Sequence, residues 1–217
     1  MAPDTVSPIR RSRADAERNR RTILDAATRV FAEHGPRATL NDVAREASVG
    51  IGTVYRKYPD KEALLDALFD DKIGAILQVV RAAAAIEDAG EAFRTYLGGI
   101  IELHAGDRSL ATVLFGPGRY ERLAGDRFTE LATTADALID AAVAAGELRD
   151  GFTRQDTTVL AVMVASVAGA TRDADPSAWR RYSEFVVDGT RGRANPAAIT
   201  HPPLPFAETA RALGGML

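Results

Sequence analysis

Apolar residues recur along this chain at the 3.6-residue helical period, and glycine or proline closes each run. The first run holds Ile23, Leu24, Ala27, Val30 and Phe31, and it stops at His34-Gly35-Pro36, where glycine can cap a helix and proline cannot continue it. A second, short run holds Leu40, Val43, Ala44 and Ala47. A third spans residue 51 to about 57, with Val54 and Tyr58 on one face. After Pro59-Asp60 comes a long helix to about residue 85, striped by Leu64, Leu65, Leu68, Ile73, Ile76, Leu77 and Val80. Further helices are expected at 88–105, 107–115, 118–146, 154–171 and 175–190. No alternating run reads as a strand. The expected fold is all-α: an N-terminal three-helix module followed by a larger helical domain.

Composition narrows the chemistry. The 217 residues include no cysteine, which excludes disulfides, thiolate metal sites and a cysteine nucleophile. Three scattered histidines give no zinc motif, and Glu102 and His104, two apart, cannot form the Glu-x-x-His pair of a di-iron bundle. No phosphate loop or nucleophile elbow appears. The reading is no metal, no cofactor and no catalytic role. Without a secretory signal or a span of roughly 20 apolar residues, the chain is expected to be soluble and cytoplasmic, with no membrane partner. The net charge of −3 conceals a split: residues 1–62 hold twelve Lys or Arg against nine Asp or Glu, and the remainder is acidic. A basic end on an acidic body suits a polyanion partner bound at that end.

Residues 39–64, TLNDVAREASVGIGTVYRKYPDKEAL, fix the reading further. Two short helices, a tight turn at Ser48-Val49-Gly50 and a second helix rich in aromatic and basic residues describe a helix-turn-helix. Ala44 is small where the helices cross, and Val49 and Val54 fill the space between them. With the preceding VFAEHG and the following Lys-Glu-Ala-Leu, this stretch resembles the TetR/AcrR family of bacterial transcription regulators. The resemblance covers about residues 14–70, with a weaker echo near Arg180 to Arg191. It implies a homodimer that binds a double-stranded operator and is released by a small effector. It also implies that Ile51, Gly52, Thr53 and Arg56 face the major groove. Thr39, Tyr55 and Lys61 would then contact phosphate, joined by Arg20, Arg21 and Lys57. Tyr58 is expected in the core. Ser48 stands where glycine is common, which carries a cost if the backbone there is left-handed.

The expected organisation is a mobile basic arm over 1–12, a DNA-binding domain over 13–60, an effector and dimerisation domain over 61–193, and a proline-containing tail over 194–217. Phe93, Tyr96, His104, Phe115, Tyr120 and Phe128 supply the aromatic and polar mixture of a pocket for a small, largely apolar effector. Val159, Met163 and Val167, with Trp179, Tyr182 and Val186 on the next helix, are expected at the dimer interface. The competing readings are a helical adaptor that has lost DNA binding and a helical enzyme.

Overall fold

The computed structural model of the protein describes residues 8–116, 125–192 and 199–215. Among these residues lie ten α-helices and no β-strand: α1 Pro8–His34, α2 Leu40–Glu46, α3 Ile51–Lys57, α4 Lys61–Ala84, α5 Ala89–Gly106, α6 Ser109–Phe115, α7 Asp126–Ala144, α8 Arg154–Thr171, α9 Trp179–Gly189 and α10 Phe206–Gly215. None is long and apolar enough to cross a membrane. The chain forms two compact units, residues 1–68 and 69–217, and the division falls within α4.

In the first unit, the apolar stripe of α1 (Ile23, Leu24, Ala27, Val30, Phe31) is buried together with Leu40, Val43 and Ala44 of α2 and Val54 of α3. A 3₁₀ turn at Gly35–Arg37, with Gly35 left-handed at φ 52°, reverses the chain after α1. Helix α2 starts on a reciprocal cap: the Asp42 amide donates to the Thr39 hydroxyl, and the Asp42 carboxylate accepts from the Thr39 amide. The arm expected over 1–12 is helical from Pro8, so α1 begins earlier than its apolar stripe suggests. That early segment is strongly basic, and the lone Ile9 sets no apolar period there.

In the second unit, α5 is the central helix and packs on α7, α8 and α9. Phe93, Tyr96, Leu97, Ile100, Ile101 and His104 are all buried along it, because neighbours cover it on several sides. Gly99 lets α4 come close: a Cβ there would stand 2.5 Å from Val79 Cγ1. Lys72 of α4 is buried and donates to Asp107 Oδ2 at 2.5 Å, while Asp107 Oδ1 accepts from the Ser109 amide and hydroxyl at the start of α6. One carboxylate thus ties α4 to the α5–α6 corner.

Three expectations about element limits change: the helix expected over 118–146 runs from Asp126 to Ala144, and 118–124 lie outside the described residues. Helix α9 starts at Trp179 rather than 175, because Asp175 bonds the Ser177 amide and hydroxyl and holds the preceding residues in a turn. The expected tail ends in helix α10, which packs on α6 and α8 with Thr209, Ala210 and Leu213 buried. Its end sits so close to α6 that a Cβ at Gly214 would stand 2.0 Å from the Phe115 carbonyl oxygen.

Candidate nucleic-acid interface and ligand cavity

The helix-turn-helix is built around a strained corner. Ser48 adopts φ 53°, the left-handed region that costs an L-residue about 1 kcal/mol or more. The corner is closed by the Val49 amide donating to the Ala44 carbonyl at 3.0 Å. Ser48→Gly is expected to stabilise the protein by about 1 kcal/mol, read from the midpoint of denaturant unfolding. An unchanged or lower midpoint would contradict the strain.

Beyond that corner, α3 sorts its residues by face. Val54 and Tyr58 are buried, whereas Ile51 and Tyr55, one turn apart, are exposed, Tyr55 at 49%. Arg56 is also exposed, and Thr53 is half-buried. Nothing stands within 4 Å of where a side chain would begin at Gly50 or Gly52. A flat surface can therefore meet the start of α3 at backbone distance. Tyr58 is core and Tyr55 is not, as the sequence suggested.

The flanking cations are held in different ways. The Lys61 ammonium lies 5.5 Å from the centre of the Phe31 ring, beside the Asp60 cap that accepts from the Ala63 amide. Lys57 donates to the Ala16 carbonyl at 3.2 Å and so braces α3 on α1. Arg20 and Arg21 have carboxylates one turn away, Glu17 at 3.4 Å and Asp25 at 3.9 Å. Thr39 is exposed, but its amide and hydroxyl both donate to Asp42 Oδ2, so both of its donors are committed to the cap. Those bonds, the Thr39 hydroxyl foremost, lower the Asp42 pKa.

The second unit encloses a cavity of about 50 Å³. Tyr96, His104, Phe115 and Phe128 line it, as expected for four of the six pocket residues. Phe93 does not line it. It packs edge-on against Tyr96 and Phe152 within the core. Tyr120 lies outside the described residues. Three lining residues carry chemistry that the sequence reading missed: Arg154 and Thr157 of α8, and Phe206 of α10. A Thr153–Asp156 capping box repeats the Thr39–Asp42 pattern and was readable as the start of α8.

Burial sets the protonation of this cavity. The Tyr96 phenol is pushed up to about 12, chiefly by burial, with the Thr157 hydroxyl opposing, so it stays a neutral donor at physiological pH. His104 is lowered to about 4 by burial, with the Asp107 carboxylate working against that shift. The unfolded chain protonates this imidazole near pH 6.5, so between about pH 6.5 and 4 it takes up a proton that the folded protein refuses. Stability should fall as the pH drops through that window and level off below it. His104→Gln is expected to remove this component from thermal unfolding measured between pH 7 and 4; an identical profile in the variant would refute it.

Helices α8 and α9 present an apolar face. Val159 and Met163 of α8 and Tyr182 and Phe185 of α9 are exposed, Met163 at 56% and Phe185 at 61%. Val167 and Val186 are half-buried beside them. Trp179 is a correction to the expected interface set. Its ring is buried in its own chain, only 8% exposed, since α9 packs on α5 as well as on α8.

Comparison with known proteins agrees with this arrangement. The family model described as "Bacterial regulatory proteins, tetR family" matches residues 23–68. The HTH-type transcriptional repressor LfrR of Mycolicibacterium smegmatis is 56% identical over 52 residues, 24% of this chain and 27% of that protein, so this match spans about a quarter of the relative. The uncharacterized HTH-type transcriptional regulator Mb2274c of Mycobacterium bovis is 30% identical over 158 residues, 69% of this chain and 77% of that one. Among solved structures, the TetR transcriptional regulator SCO0520 of Streptomyces coelicolor shares 31% identity with a TM-score of 0.56, covering 81% of this chain and 99% of its own.

Proposed function

This chain belongs to the TetR family of bacterial regulatory proteins, and from that membership we propose that it is a homodimeric repressor, released from a palindromic operator by a small, largely apolar effector. The observation that carries the reading is the exposed face of α3. Ile51, Tyr55 and Arg56 stand clear of the core around two open glycines, while Val54 and Tyr58 anchor the helix. An adaptor that had left DNA would have no use for that sorting. In this reading Thr53 and Arg56 read base edges, and Ile51 and Gly52 allow close apolar approach to thymine methyls. Tyr55, Lys61, Arg20 and Arg21 neutralise phosphate.

Two structural details refine the expected contacts. Lys57 acts mainly as a brace, since its ammonium is bonded to α1. Thr39 serves as the cap of α2 and contributes to docking by fixing that helix rather than by donating to phosphate. Effector binding falls to the cavity of the second unit, where Tyr96, His104, Phe115 and Phe128 combine apolar walls with a few polar groups. A ligand that prefers the DNA-free conformation shifts the dimer off its operator. The protein is read as a regulator without catalysis, acting in the cytoplasm.

A reporter driven by the DNA upstream of the protein's own gene tests repression. Co-expression of the native protein is expected to lower reporter output, and Arg56→Ala should restore it. Output that ignores the native protein would overturn autoregulated repression.

A further inference from the structure

We propose that the effector is a compact apolar molecule bearing one neutral carbonyl-type oxygen, and that Arg154 Nη1 donates the hydrogen bond that recognises it. This rests on reading the cavity of the second unit as the effector site.

Arg154 opens α8 with its guanidinium held on two sides. Its Nε donates to Asp136 Oδ1 of α7 at 3.1 Å. Its Cζ lies over two rings, 5.4 Å from the centre of Phe206 and 5.8 Å from that of Phe128. The rings are themselves 5.4 Å apart. The ring contacts and the ion pair together hold the group in place. Yet Nη1 is buried and has no acceptor among the described residues. Buried donors are nearly always met, so an unmet guanidinium N–H on a residue that lines the cavity marks a place for an acceptor. Thr157, whose buried hydroxyl acts on the Tyr96 phenol, lines the same cavity.

Charge decides which acceptor fits. Asp136 already offsets the guanidinium, and among the described residues no other cation lines the cavity, since His104 is uncharged there. An anion would meet the Asp136 carboxylate without a counter-charge of its own. A ketone or similar neutral oxygen gains the hydrogen bond and escapes that repulsion. The rest of the wall is apolar, with Ile73, Ile76, Ile100 and Leu131 among its residues. A benzene-sized guest needs a cavity of about 150 Å³, larger than this one, so a wall must give on binding.

Acetophenone, ethylbenzene and benzoate share a ring and differ in the acceptor. Their dissociation constants can be measured by ligand-observed NMR on the full chain. Arg154→Met is expected to weaken acetophenone about tenfold while ethylbenzene stays within twofold. Asp136→Asn, at a half-exposed position, should narrow the gap between acetophenone and benzoate by at least fivefold by unmasking the Arg154 charge. If Arg154→Met weakens both neutral probes equally, the cavity stands and the role of Arg154 falls. Failure of all three probes to bind the native protein would overturn the cavity reading and this inference with it. Should Arg154→Met not fold, the Asp136→Asn arm decides: an unchanged gap refutes the proposal.

Discussion

Replacing Lys61 by alanine is expected to weaken binding to every DNA sequence alike, whereas Thr53→Ala or Arg56→Ala changes which sequence is preferred. The difference follows from what each group can reach. Lys61 opens α4 with its ammonium 5.5 Å from the centre of the Phe31 ring, so it is a placed point charge that suits a phosphate. Removing one phosphate contact lowers the slope of log affinity against log salt by about 0.9. Arg56 is exposed on α3, and its planar fork matches the two acceptors of a guanine edge. Losing such a bidentate contact costs roughly 1–3 kcal/mol at one base position and little elsewhere. Fluorescence anisotropy across a salt series, with operator and scrambled duplexes, separates the two effects. An unchanged slope for Lys61→Ala, or an Arg56→Ala protein with native base preference, would contradict this docking.

Met163→Glu combined with Phe185→Glu should convert the dimer to monomer at micromolar concentration. Both side chains are more than half exposed, and with Val159 and Tyr182 they make a continuous apolar face on α8 and α9. In a two-fold interface each substitution occurs twice, so the duplex of helices would have to bury four carboxylates without partners. Hot-spot losses of at least about 2 kcal/mol per site predict a dissociation constant raised a thousandfold or more. Sedimentation velocity reads the outcome directly. Because neither residue belongs to the core of its own chain, the variant should keep its helical circular dichroism. A native protein that sediments as a 23.2 kDa monomer would defeat the dimer itself.

Much of this architecture was legible because helices write their period into the sequence. The limits of α8 coincide with the expected 154–171, and Tyr58 falls inward because it stands four residues after buried Val54, as Tyr55 falls outward four after exposed Ile51. The cost at Ser48 was foreseen only through the family resemblance, as a condition on a left-handed backbone, and its φ of 53° meets that condition. Other features escaped for physical reasons. Phe206, Thr209, Ala210 and Leu213 have helical spacing and read as one helical turn at 206–213 of a surface tail, and only tertiary contact with α6 reveals a packed helix. Arg154 looked like an ordinary charged first-turn residue. Its significance arises from Asp136, Phe128 and Phe206, which lie 18, 26 and 52 positions away in the chain. Trp179 shows the opposite error: a large ring at helical spacing can serve the protomer's own core rather than a partner.

The central claim is that the exposed face of α3 binds duplex DNA as part of a symmetric dimer. A gel-shift titration with DNA from upstream of the protein's own gene, analysed for stoichiometry and salt dependence, tests it most directly. The account predicts a salt-sensitive complex with an even number of protomers on a palindromic site, outcompeted poorly by scrambled duplex. Equal affinity for the upstream DNA and the scrambled duplex, or no complex at low salt, would contradict it.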